Sequence, residues 1–291
     1  MSPIQIGAIY PQTELPTDSA TVRAHARRVE ELGYRHVEVY DHVVGADPGV
    51  HTGWSAPYDV DTTFHEPLVL FGFLAAITSL ELVTGVIIAP QRQTVLLAKQ
   101  AAEVDILSEG RLRLGIGVGW NTVEYEALGQ DFSTRGRREE EQIELLRRLW
   151  TERSVTYDGR FDRVVGAGLA PTPVQRPIPI WLGGRTPVVY RRIGRLADGW
   201  FPQIGLGPDL DAAREIIAAA AADAGRDPAA IGMSARITWG PGGADAVGAD
   251  AARWREAGAT HASVNTMGSR LGGLDAHLDA LAAAAATLSL T

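Results

Sequence analysis

Three short stretches combine residue types that can do chemistry. The first is Gly115-x-Gly117-Val118-Gly119, followed by Trp120 and Asn121 and closing the run Arg111–Ile116. Glycines just past a strand let a backbone approach something flat or anionic, and an indole beside them can wall a flat ring. The spacing differs from the dinucleotide fingerprint GxGxxG. Taken alone it fits a tight turn closing a strand as well as a ligand contact. The second stretch, Ile180-Trp181-Leu182-Gly183-Gly184-Arg185-Thr186-Pro187, ends an apolar run in two glycines, an arginine and a helix start. Unpaired N–H groups and the helix dipole there suit a phosphate; an ordinary strand-to-helix connection is the alternative. The third is Asp41-His42, closing the run His36–Tyr40. A histidine at a strand end can move a proton near neutral pH, or can be a satisfied structural group. His65-Glu66, ahead of Pro67, reads as loop structure and first-turn charge.

Such stretches need a frame that gathers strand ends. Val83–Ala89 is β-branched enough for a strand buried on both faces. A helix over Thr94–Leu107 and a strand over Arg111–Ile116 follow, which makes a parallel βαβ unit. The alternation runs through the chain. The other strands are Gln5–Tyr10, His36–Tyr40, Ile178–Leu182, Gly199–Pro202, Met233–Thr238 and Ala262–Asn265. Helices fall at Ser19–Leu32, Pro67–Ser79, Arg137–Thr151, Pro187–Leu196, Leu210–Ala224, Ala244–Ala257 and Leu274–Leu288. Eight strands, each followed by a helix, predict one α/β domain over 1–291, a (β/α)8 TIM barrel.

Two inserted loops interrupt the repeat. Val43–Glu66, after the second strand, carries Trp54, Tyr58 and Phe64 and reads as a substrate lid over a partly aromatic pocket. Val155–Pro177, before the fifth strand, is either functional or a surface excursion. Ser19 is expected to cap the first helix with Asp18 beside it, and Thr186 the helix starting at Pro187. The charged helix from Arg135 onward pairs Arg137 with Glu141 and Glu144 with Arg148, turns Ile143, Leu146 and Trp150 inward, and reads as a solvated helix.

Composition excludes several classes. A net charge of −8 without a basic tract argues against nucleic acid or an anionic membrane as partner. The absence of cysteine removes disulfides, thiolate catalysis and sulfur-held zinc. The start MSPIQIG has no signal-peptide pattern, and the alanine-rich stretches are too short or too charged to span a bilayer. A cytoplasmic protein is expected. A metal-dependent hydrolase would need His42, His65, Asp41 and Asp61 to converge, without HxH or HExxH spacing to help.

The run TGVIIAPQRQTVLLAKQAAEVDILSEGRLRLGIGVGWN resembles the third and fourth strand region of the luciferase-like monooxygenase superfamily. HVEVYDHV is similar to its second strand, and IPIWLGGRTP with RRIGRLADGWFP to a later signature, so the resemblance covers nearly the whole chain. It implies a barrel with inserted loops and a flavin or deazaflavin at the carboxyl ends of the strands. By that resemblance Gly85, Val86 and Ile87 back the tricyclic ring, often through a non-prolyl cis peptide. Gly117, Val118, Gly119, Trp120 and Asn121 lie beside the cofactor, and Gly183, Gly184, Arg185 and Thr186 bind its phosphate. Asp41 and His42 match residues near the reactive ring.

The run looks most like the branch that uses coenzyme F-420, a deazaflavin, for hydride transfer to a small-molecule substrate. Trp120 departs from the acidic residue of sugar-phosphate-oxidising members, which argues against that substrate. The alternatives are an FMN-dependent monooxygenase fed by a separate reductase and a non-catalytic flavin-binding relative. The superfamily suggests a homodimer or larger homo-oligomer.

Overall fold

A computed structural model describes residues 4–290. Eight parallel strands form its central sheet: β1 (Gln5–Ile9), β2 (His36–Val39), β3 (Glu81–Thr84), β5 (Leu112–Gly117), β8 (Ile180–Gly184), β9 (Gly199–Pro202), β10 (Gly232–Thr238) and β11 (His261–Asn265). A two-residue strand, β4 (Ile87–Ile88), continues past β3 and pairs only with β5. The pairings β1–β11 and β3–β5 close the ring, with Ala8 opposite Val264 and Val83 opposite Arg113. The predicted TIM barrel is the observed fold.

The helices between these strands are α1 (Ser19–Glu31), α2 (Pro67–Ala75), α3 (Thr94–Leu107), α4 (Thr122–Ala127), α5 (Arg135–Thr151), α6 (Pro187–Leu196), α7 (Pro208–Asp223), α8 (Gly243–Glu256) and α9 (Leu274–Leu288). Most of the core lies between strands and helices, where Leu82, Leu114, Ile180, Ile237 and Val264 point outward from the ring. The inward set is different. Val83, Trp181 and Phe201 form a small cluster among polar side chains. The Arg113 guanidinium stands 4.6 Å from the Trp181 ring and pairs with Glu81 at 2.6 Å. Glycines make room for these rings. A Cβ at Gly7 would collide with His36, and one at Gly232 would stand 2.6 Å from Trp181.

Several local expectations are corrected. Val83–Ala89 is not one strand. β3 stops at Thr84, a cis peptide joins Gly85 to Val86, and β4 resumes at Ile87. The Glu38 side chain occupies the space where a Cβ on Gly85 would stand, so β-branched residues gave no warning of the step. Asp18, not Ser19, caps α1, accepting from Ala20 and Thr21 N–H at 3.0 Å each. Thr186 occupies the cap position of α6 without a side-chain cap bond.

The stretch Val155–Pro177 holds an antiparallel hairpin, β6 (Val155–Asp158) and β7 (Arg163–Ala167). Helix α5 is less solvated than its charge suggests. Glu141 accepts the N–H groups of Arg160, Phe161 and Asp162 in the hairpin turn, and Arg148 pairs with Glu152 instead of Glu144. Ile143, Leu146 and Trp150 are buried as expected. Among the described residues no helix is long and apolar enough to cross a membrane.

Candidate active site

A cleft of about 880 Å³ opens at the carboxyl ends of the barrel strands. Twelve predicted residues line it: Asp41, His42, Gly85, Val86, Gly117, Val118, Gly119, Trp120, Gly183, Gly184, Arg185 and Thr186. Two do not. Ile87 is fully buried opposite Ile116, and its neighbour Ile88 reaches the cleft instead. Asn121 turns away to cap α4, accepting from Val123 N–H at 3.1 Å and Glu124 N–H at 3.2 Å.

The wall over β3 and β4 is built from Val86 and two glycines. A Cβ at Gly117 would stand 2.8 Å from Val86 Cγ2, and one at Gly183 would stand 3.4 Å from Val86 Cγ1. A Cβ at Gly119 would likewise press on Ile88 Cγ2 at 2.8 Å. The glycine series therefore admits the side chains of the β3–β4 step, and so leaves Val86 half-buried as an apolar face toward the cleft. Asp41 fixes this step from behind. Its carboxylate accepts Ile88 N–H at 3.1 Å and Arg92 at 2.8 Å. Arg92 also holds Glu66 at 3.0 Å, and Glu66 caps α2 by accepting Val69 N–H. The reading of Glu66 as first-turn charge is thus refined to a cap tied to the site.

Asp41 and His42 both line the cleft, but they take different partners. His42 Nδ1 lies 3.4 Å from Glu124 Oε2, and Glu124 is almost completely buried. Glu124 also accepts from Gln91 at 3.0 Å and from the N–H groups of Val43 and Val44. Burial alone would raise its pKa. Hydrogen bonds from His42, Val43 N–H and Gln91 outweigh that and lower it, so Glu124 is an anion at neutral pH. A buried carboxylate on one ring nitrogen fixes the imidazole's orientation and leaves Nε2 for chemistry. The other faces of His42 are aromatic: Phe64, Tyr58 and Trp120 have ring centroids 4.7, 5.2 and 5.4 Å away. The loop expected to act as a lid places Tyr58 in the cleft, while Trp54 packs on Trp120 at 5.8 Å.

The β8–α6 side of the cleft is cationic. Gly184, at φ 155°, leads into Arg185 and the start of α6, whose first N–H groups receive no side-chain cap. Arg185 is exposed, and Arg135 and Arg192 join it in the lining. Arg192 is held by Glu139 at 2.9 Å and Glu140 at 3.0 Å. Uncapped N–H groups, a helix dipole and an arginine without an ion-pair partner among the described residues make a turn, here called the anion turn, that could receive an anion. An apolar wall and an anion turn in one cleft fit a flat ring carrying a phosphate tail. Sequence reasoning missed Glu124, Tyr40, Arg135, Arg192, Gln203 and Arg236 in this lining. The first sat in plain view as Asn121-x-x-Glu124, a cap spacing that places the carboxylate in the first turn of α4.

A family model described as luciferase-like monooxygenase matches residues 1–287. An uncharacterized protein of Mycobacterium tuberculosis, Rv0953c, is 34% identical over 214 residues, covering 71% of this chain and 76% of its own. An F-420-dependent glucose-6-phosphate dehydrogenase of Gordonia bronchialis is 33% identical over 190 residues, 62% of this chain and 52% of that enzyme. Among solved structures, the monooxygenase RslO1 from Streptomyces bottropensis aligns with a TM-score of 0.78 at 20% identity, covering 98% of this chain and 99% of that one. The coenzyme F-420-dependent tetrahydromethanopterin reductase from Methanopyrus kandleri aligns with a TM-score of 0.75 at 17% identity, covering 98% of each. At those identities the two structures establish the shared barrel.

Proposed function

The chain belongs to the luciferase-like monooxygenase family of oxidoreductases, and we propose that it exchanges a hydride between coenzyme F-420 and a small organic substrate. The observation that carries this reading is the single cleft that brings the Val86 wall together with the turn Gly184-Arg185-Thr186 that follows Gly183. Val86 and its flanking glycines would hold a flat ring system, and Gly184, Arg185 and Thr186 its phosphate. Bound there, a deazaflavin supplies two-electron hydride chemistry, and the protein's part is to position and exclude.

His42 is the proton donor or acceptor, with Glu124 setting its orientation. Asp41 acts at one remove by anchoring the β3–β4 step through Ile88 N–H. Tyr58, Phe64 and Trp120 pack around the His42 ring and reduce its contact with water. F-420-dependent relatives support the deazaflavin over other flavins. Cytoplasmic residence and a homodimeric or larger assembly belong to the same proposal; light scattering on the purified chain tests the latter.

One feature favours a second reading, an FMN-dependent monooxygenase fed by a separate reductase. The aromatic rings packed on His42 would supply part of the shielding that oxygen chemistry needs. Anaerobic mixing with reduced F-420 and a panel of carbonyl and alkene compounds separates the two. Return of the deazaflavin's visible absorbance without oxygen is the expected result. Product formation only with oxygen uptake and reduced FMN would establish the second reading instead.

A further inference from the structure

Beside the Val86 wall and the anion turn, the cleft contains one more cation, Arg236. It sits on β10, the seventh barrel strand, and follows Gly232 and Ser234 on the inward face. In the ring order it stands across from β3, the third strand, which leads into Gly85 and Val86. A planar group resting on Val86 would therefore present its open side toward Arg236. Unlike Arg192, Arg236 has no carboxylate in ion-pair contact among the described residues.

Its neighbours are the hydroxyls of Tyr40 and Tyr58 and, deeper in the barrel, Glu38. Burial pushes the pKa of both phenols upward, so they stay neutral and can donate. Glu38 is buried and accepts the Ser263 hydroxyl at 2.6 Å, and burial pushes its carboxyl up as well. Arg236 and Gln203 also border an adjoining cleft of about 460 Å³, so solvent-borne molecules can reach them.

Resting on the function proposed above, we infer that Arg236 anchors the substrate, and that the substrate is a monocarboxylate with a flat, unsaturated body. A guanidinium accepts a carboxylate in a bidentate pair. The other arginines of the cleft belong to the anion turn, and Arg253 of the adjoining cleft pairs with Asp250. The two phenols and the Gln203 amide are neutral, which suits one negative charge, whereas a phosphate dianion calls for further cations. Tyr58 and Trp120, the aromatic groups in the cleft beside His42, supply the surface for a flat body. The carboxylate thus lies across the mouth from the Val86 wall, with the body between Arg236 and His42.

The test uses the full chain and three probes: cinnamate, its neutral amide, and phenyl phosphate. Binding is followed by calorimetry, without cofactor and with saturating F-420. Cinnamate is expected to bind at least tenfold more tightly than the amide and than phenyl phosphate. Arg236→Gln should remove that tenfold preference, and Arg236→Lys should restore part of it. Both variants should keep the wild-type melting temperature within a few degrees and the wild-type affinity for F-420. Equal binding of cinnamate and amide, tighter binding of phenyl phosphate, binding of none, or a preference that survives Arg236→Gln would each overturn the assignment. Failure of F-420 to bind the wild-type chain is a separate result. It would remove the proposed function, while the cofactor-free titration still reads the carboxylate subsite.

Discussion

Glu124 organises the chemical corner of the cleft by holding His42, Gln91 and the Val43 and Val44 N–H groups on one carboxylate. His42→Ala is expected to lower turnover by roughly 10²–10⁴-fold, the usual worth of a positioned acid–base group, with F-420 affinity unchanged. Wild-type turnover in that variant would remove His42 from the chemistry. Glu124→Gln leaves donors facing an amide and should cost about 1–3 kcal/mol of stability in urea melts. The pH dependence follows from the direction of the shift. Glu124's folded pKa is depressed, so its contribution is fully present above the ordinary carboxylate pKa of about 4.3. It is lost as pH falls through the lower folded value. Acid melts of the wild type and of Glu124→Gln should therefore converge as pH falls. Asp41-His42 was legible in the sequence as a pair, but their partners were not. Arg92 and Glu124 lie far along the chain from them, and a buried carboxylate in NTVEYEA looks like ordinary helix charge.

The elements contribute through the step between β3 and β4. Its apolar face depends on the absence of side chains at Gly117 and Gly183, which the Val86 methyls approach from above. Gly117→Ala should weaken F-420 binding about tenfold by displacing Val86, the order of effect expected when a packed group is forced aside. Gly183→Ala, with its looser 3.4 Å approach, should cost less. Adding Val86→Ala to Gly117→Ala should recover the melting temperature without recovering affinity. If both glycine variants bind the cofactor normally, the Val86 wall is not its seat. The glycine spacing marked these positions in the sequence. Their purpose was hidden because the side chains they admit come from a different strand. The same blindness applies to β3 itself, since a β-branched run reads as continuous whether or not the backbone steps aside. Helix α4 was passed over for a simpler reason: six residues carry too little periodicity to register.

Across the whole molecule, the barrel arises from alternating βα signals that local composition carries well, which is why its strand count was readable. Its inward polar set was not, because inward and outward residues of a parallel barrel are both buried. Buried and half-buried histidines, His36 and His261 on the strands and His25 on α1, make acid stability a property of the fold. Burial pushes His25 and His261 down to about 3, and pushes His36 down as well. These histidines are held neutral, so the unfolded chain binds more protons as pH falls below about 6.5. Stability should drop from pH 7 to pH 5 by up to about 1.4 kcal/mol per pH unit for each such histidine. Thermal melts at the two values check this, and a His25→Phe variant should show a shallower decline. The function, however, turns on what the cleft holds. The most direct measurement is a fluorescence titration of the cofactor-free chain with coenzyme F-420 and, separately, with FMN. Saturable quenching with F-420, weakened by Arg185→Gln, and weaker binding of FMN form the expected result. Preference for FMN, or binding of neither, would contradict it.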